Sequence, residues 1–155
     1  MLTLAGAVFG LSLPAEASIT LCNSGEKTLE YVMVRNDWKF NANFVPYQQW
    51  YADGWYKLPP GCTTVIDEQK LLFAYFLIQK QVGERWQTMR FPIKETGLGK
   101  GASGTDRRFC VGSAKVWRRA QNLEDLAVCL KDQKLEVFSL YVTTDADTEH
   151  TVDLQ

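Results

Sequence analysis

Histidine is almost missing from this chain of 155 residues; the only one is His150. Ser-His-Asp or Cys-His chemistry would therefore have to run through one position, so no catalytic residue is assigned. The four cysteines lie far from that histidine in sequence and form no Cys-x-x-Cys, so neither a metal site nor a cofactor is expected. Charge of one sign is also lacking, with 17 Lys and Arg against 18 Asp and Glu. A nucleic-acid partner held by counterion release is not expected from such a balance. The longest apolar stretch, Leu2 to Leu13, falls well short of the ~20 residues of a membrane-spanning helix.

That stretch is small and apolar, is broken by Pro14 and closes on Ala15-Glu16-Ala17. Ala-x-Ala is the pattern that signal peptidase accepts, so residues 1–17 read as a signal peptide cleaved before Ser18. No Lys or Arg precedes the apolar run, although such leaders normally begin positive. A basic extension upstream of Met1 would restore the pattern, and a buried N-terminal strand or helix is the competing reading. Cleavage would leave residues 18–155, the size of one domain, with acids and bases equal in number.

An even number of cysteines in an exported chain points to disulfides and to the periplasm or the medium. Three pairings of Cys22, Cys62, Cys110 and Cys129 are possible. Cys22–Cys62 with Cys110–Cys129 is expected, because each pair then lies within one half of the chain, and each bridge contributes about 2–4 kcal/mol.

Short alternating segments dominate the rest. Ser18–Asn23 and Thr28–Arg35 suggest an N-terminal hairpin, with Leu29, Tyr31 and Met33 on one face and Glu30, Val32 and Val34 on the other. Asn36–Pro46 has no sustained period and reads as a long loop or irregular edge. Gln48–Leu58 reads as a strand interrupted at Asp53-Gly54 and ended by Pro59-Pro60-Gly61. Thr63–Ile66 is a short strand. Leu71–Gln79, the most apolar segment after the leader, is expected at the centre of the core. Arg85–Phe91 alternates without declaring an inward face. Thr96–Asp106 reads as a flexible glycine-rich loop, Arg108–Val111 as a strand, and residues 123–130 as one short helix with Asn122 at its N-cap. Leu135–Thr143 and Thr151–Leu154 complete the strands. The expected class is all-β, an antiparallel β-sandwich or partly open barrel with at most one short helix, stapled by disulfides.

Several patterns fail on context. Gly99-Lys100-Gly101-Ala102-Ser103-Gly104 fits G-x-G-x-x-G but lacks the strand before, the helix after and the acidic residue that a dinucleotide site needs. Asp145, Asp147, Glu149 and His150 could hold calcium, yet they lack the glycine and final glutamate of an EF-hand loop, so no metal is assigned. Arg107, Arg108, Lys115, Arg118 and Arg119 make the middle of the chain basic, and a solvated face balanced by Glu124 and Asp125 is the ordinary reading.

The order Cys22-Asn23, Gly54-Trp55-Tyr56-x-Leu58-x-Pro60-Gly61-Cys62, Tyr75-Phe76, Phe109-Cys110-Val111 and Cys129 resembles the bacterial family catalogued as domain of unknown function 1036. The resemblance spans most of Ile19–Val142, with Tyr56 where the family has a second Trp and a longer insertion before Trp50. It implies a disulfide-bonded, β-rich exported fold and carries no activity or site residues with it.

What is abundant is aromatic. Trp38, Phe40, Phe44, Tyr47, Trp50, Tyr51, Trp55 and Tyr56 crowd together among Asn, Gln and Asp. In an unbulged strand Trp50 and Tyr56 share one face while Tyr51 and Trp55 share the other. Exposed rings beside amides suit a sugar, a peptide or a membrane interface, whereas buried ones would close the core beside Cys62. Trp38, Phe44, Tyr47, Trp50 and Tyr51 are the candidate ligand-binding residues. The expected function is a non-enzymatic exported module that recognises a protein or envelope glycan. A small envelope hydrolase and a membrane-associating or pore-forming protein are the alternatives.

Overall fold

Two apolar segments set the layers. Along Leu29–Val34 and Ala74–Ile78 nearly every residue is buried, and alternate residues enter different cores. Strands buried on both faces must lie inside a layered structure. The computed structural model describes residues 17–68, 72–91, 101–144 and 149–154. Its elements are β1 (Ala17–Asn23), β2 (Leu29–Phe40), β3 (Pro46–Leu58), β4 (Gly61–Glu68), β5 (Leu72–Val82), β6 (Arg85–Thr88), β7 (Ala102–Gly112), β8 (Val116–Ala120), a 3₁₀ turn at Leu123–Ala127, β9 (Gln133–Thr144) and β10 (Glu149–Leu154).

The larger sheet has the order β7-β9-β5-β2-β3-β8, with β6 added to β5, and curls into a half-barrel. A smaller sheet, β10-β1-β4, packs on one face of it. The first core lies between the sheets: Ile19, Leu21, Ile66, Val152 and Leu154 meet Leu29, Tyr31, Met33, Phe76, Ile78 and Leu140. The second lies inside the curl, where Val32, Val34, Leu77, Phe109, Phe138 and Val116 pack with Leu126 of the 3₁₀ turn. Both expected disulfides form. Cys22–Cys62 joins directly opposed residues of β1 and β4, and Cys110–Cys129 ties β7 to the segment after the 3₁₀ turn.

Several elements depart from the sequence reading. β1 and β2 are not a hairpin: β1 pairs antiparallel with β4 and parallel with β10. The turn between them carries the chain from one sheet to the other. Asn23 holds that turn, its Nδ2 donating to the Lys27 carbonyl at 2.9 Å and to the Leu58 carbonyl at 3.0 Å. Of Asn36–Pro46, read as a long loop or irregular edge, only residues 41–45 form a loop, for β2 runs to Phe40 and pairs with β3 from Pro46 onward. Cross-strand pairing sustains extended backbone there without an apolar period. Of the expected glycine loop, residues 96–100 lie outside the described residues, and Ala102–Asp106 belongs to β7, where Ala102 and Gly104 are buried against β9. The expected helix is only a 3₁₀ turn, and the Asn122 side chain makes no capping hydrogen bond. The expected leader lies outside the described residues except for Ala17, which opens β1.

The curled sheet also splits. β9 pairs with β5 from Leu140 to Thr144, while its half from Gln133 to Phe138 pairs, among the described residues, only with β7. β6 occupies the edge of β5 from Gln79 to Val82. At the fork the Ser139 hydroxyl donates to the Met89 carbonyl at 2.6 Å, fixing the point where the strands separate.

Candidate functional site

Past Arg35 on β2 and before Trp50 on β3, the two strands pair with each other and, among the described residues, with no third strand. The result is a two-stranded ribbon projecting from the sheet. Its root is pinned where the Phe73 N–H donates to the Asn36 side-chain oxygen at 2.7 Å. Its tip is organised by Asn41, whose Oδ1 accepts from the backbone N–H of Asn43 at 2.9 Å and of Val45 at 3.0 Å. Within that turn Phe44 has φ 57°, a left-handed conformation uncommon for a bulky residue, and its side chain is 86 % exposed.

Directly opposed residues share a face, so the register sorts the candidate residues. Asn36 faces Trp50, Trp38 faces Gln48 and Phe40 faces Pro46, which puts Trp38, Phe40 and Trp50 on the side of the inner core. Arg35 faces Tyr51, Asp37 faces Gln49 and Lys39 faces Tyr47, which puts both tyrosines on the other side. There the Arg35 guanidinium lies 5.4 Å from the Tyr51 ring centroid, and Lys39 pairs with Asp37 at 2.7 Å. The five nominated residues are therefore not one patch. Trp38 and Tyr47 lie on opposite faces of the ribbon and Phe44 at its tip, while Trp50 is half-buried against the inner core and Tyr51 half-buried at the root.

Beyond the root a bulge reverses the parity. Tyr31 faces Tyr56 but Val32 faces Gly54, so Trp55 is an extra residue on β3. Trp50 and Tyr56 consequently fall on opposite faces, contrary to the unbulged reading; Trp55 joins Trp50 on the inner side, and Tyr56 packs on Tyr31 at 5.4 Å between the sheets. Gly54 allows the bulge to close, because a Cβ there would stand 2.8 Å from Val32 Cγ2 and 2.9 Å from the Tyr31 carbonyl oxygen.

Burial, followed by the hydrogen bond and charge of Asp53, pushes the Tyr56 hydroxyl up to about 12, and burial likewise raises Tyr31. The unfolded chain ionises tyrosine near pH ~10. The neutral form is thus favoured by folding; its stabilisation is complete below that pH and is lost as pH rises through the folded value. Tyrosinate absorbance titrated from neutral to strong alkali is expected to show a late-ionising group that disappears in Tyr56→Phe. Asp53→Asn shifts it down only in part, since burial is the larger cause.

The remaining candidates take ordinary structural places. Arg118 bridges β8 to the 3₁₀ turn, donating to the carbonyls of Val128 at 2.9 Å and Asp125 at 3.2 Å, and Arg107 pairs with Glu124 at 3.6 Å. His150 is buried on β10, while Asp145 and Asp147 lie outside the described residues. Among the described residues no three His, Cys, Asp or Glu side chains are placed to share a metal ion. Two tryptophans escape the sequence reading. Trp117, on β8 opposite Asp53, is 61 % exposed, and Trp86, on β6, is 41 % exposed. The first was hidden inside a basic run and the second in a strand with no apolar face.

Comparison of the chain with protein-family models, with curated proteins and with solved structures finds no match. The two disulfides fit an oxidising environment, and among the described residues no helix is long and apolar enough to cross a membrane.

Proposed function

We propose that this protein is an exported, non-catalytic binding module, periplasmic or secreted, whose β2–β3 ribbon grips a protein of the cell envelope. The observation that carries this reading is the ribbon itself. Trp38, Phe40, Phe44, Val45 and Tyr47 are all exposed on a segment that no other strand among the described residues flanks. A two-stranded ribbon alone is marginally stable in water, and rings on both its faces would be covered by a groove. Open strand edges add main-chain donors and acceptors of the kind that a protein partner can pair. A flat glycan would use one face and leave the other bare, so a protein is the better fit. The left-handed Phe44 supports the same reading, because a bulky residue held in a costly conformation at an exposed tip contributes nothing to the core. The sequence resemblance to the exported family described above belongs to this proposal, and the Trp55–Cys62 stretch of β3 and β4 supports it.

The test is capture from a cell-envelope extract by the mature chain and by Trp38→Ala and Phe44→Gly. One discrete protein is expected on the wild type, with recovery down roughly tenfold in each variant, the loss of a single aromatic anchor. Urea midpoints should not move. Equal capture by the variants would sink the reading. Flotation with liposomes and a blue shift of Trp fluorescence would replace the protein by a membrane surface.

A further inference from the structure

On the curled face the central strands turn from apolar to polar at one level. Gln79 follows Leu77 by two places, Glu30 precedes Val32 by two, and Glu136 precedes Phe138 by two; alternate residues share a face, so the three polar side chains line up beyond the inner core. At this level β9 has parted from β5, and β6 stands on the vacated edge. Between them opens a cleft of about 530 Å³, within the ~300–1,000 Å³ of small-ligand sites, and the mouth of a barrel is a usual place for one.

Two rings line it, Trp55 and Trp86. The Trp55 Nε1–H is already committed to the Gly112 carbonyl at 3.0 Å, which locks the indole and leaves ring carbon as what it can offer. Trp86 stands on the edge strand, and Lys57 Nζ lies 5.6 Å from its ring centroid. Lys57 does not line this cleft but a neighbouring hollow, which Trp86 also walls.

Charge selects the ligand class. Glu30 pairs with Lys57, and Glu136 with Lys134 at 3.2 Å. Lys115 and Lys134 balance the two carboxylates in the lining, so the cleft carries no net charge. An anion would meet Glu30 and Glu136, and a cation would meet the lysines. A neutral molecule with flat C–H faces and several hydroxyls meets neither penalty: its faces cover indole carbon, and its hydroxyls donate to the carboxylate and amide oxygens. We propose that this cleft binds a short neutral saccharide, with Trp55 and Trp86 as the stacking surfaces and Glu30, Gln79 and Glu136 as the hydroxyl acceptors. The site is separate from the ribbon, since neither Trp38, Phe44 nor Tyr47 lines it.

Titration of the mature chain with cellotetraose, maltotetraose and chitotetraose in turn, read by Trp fluorescence, tests it. A saturable change is expected with at least one of them. Trp86→Ala should weaken that binding roughly tenfold or more, the usual loss at a central aromatic contact. Phe44→Gly should bind the sugar as the wild type does, which separates this site from the ribbon. If Trp86→Ala fails to fold, Glu136→Leu, which replaces an acceptor by hydrocarbon, should show the same loss. Silence with all three sugars up to high millimolar concentration overturns the proposal. So does undiminished binding by the folded variant, or a saturable response to inorganic phosphate or to tetra-alanine but to no sugar.

Discussion

Phe76→Ala is expected to lower the free energy of unfolding by about 3–5 kcal/mol, the cost of deleting a fully buried phenylalanine where the surroundings cannot collapse. Phe76 is fully buried on β5, opposite Met33 of β2 on one side and Leu140 of β9 on the other. Its ring lies 6.2 Å from that of Tyr31 and belongs to the core between the two sheets. Neither sheet can close the space without shifting its own strand pairing, so most of the cavity should persist. Domains of this kind are stable by only ~5–15 kcal/mol, and a loss of that size is a large fraction of the total. Urea unfolding monitored by circular dichroism checks it. Phe44→Ala removes the same ring from a position 86 % exposed and should stay within about 0.5 kcal/mol of the wild type. Similar losses for the two variants would refute the assignment of core and surface.

Replacing Cys22 and Cys62 together by serine is expected to cost about 4 kcal/mol, against about 3 for the Cys110 and Cys129 pair, because the restriction of the unfolded chain grows with the loop that a bridge closes. The two bridges span 40 and 19 residues. The first also stands at the junction of the smaller sheet with the rest, beside Asn23 and beside Ser24, whose hydroxyl donates to the Leu154 carbonyl at 3.0 Å. β1 is the middle strand of that sheet. Its loss of restraint should therefore release β4 and β10 together. Denaturant midpoints of each double variant, with the reduced wild type for reference, provide the measurement. A larger cost for the shorter bridge would show that native contacts around the 3₁₀ turn outweigh chain entropy.

Where a strand's faces both meet apolar neighbours, its fate was legible locally. Leu29, Tyr31 and Met33 enter one core and Val32 and Val34 the other, as their alternation indicated. The central place of the Leu71–Gln79 segment and the pairing of the cysteines were legible for similar reasons: composition and separation constrain them within one stretch of chain. The ribbon was not. Asn36, Asp37 and Lys39 carry no apolar period, and their extended backbone is sustained by the partner strand across from them.

The aromatic residues show how far local reasoning reaches. Their crowding between Trp38 and Tyr56 is a fact of the sequence, as are the strand periods, the near-neutral charge and the even set of cysteines. Which rings face solvent was decided by tertiary structure: β2 and β3 run on past the sheet and carry Trp38, Phe40, Phe44 and Tyr47 outward, while one extra residue at Trp55 turns Tyr56 in between the sheets. The cleft was decided there as well. Glu30, Gln79, Trp86 and Glu136 come from four strands and have no common pattern along the chain; they meet only because β9 leaves β5 beside Ser139 and β6 fills the edge. Side-chain chemistry and period are written residue by residue, but a face or a cleft depends on register between distant strands, and register is fixed only when the cores close.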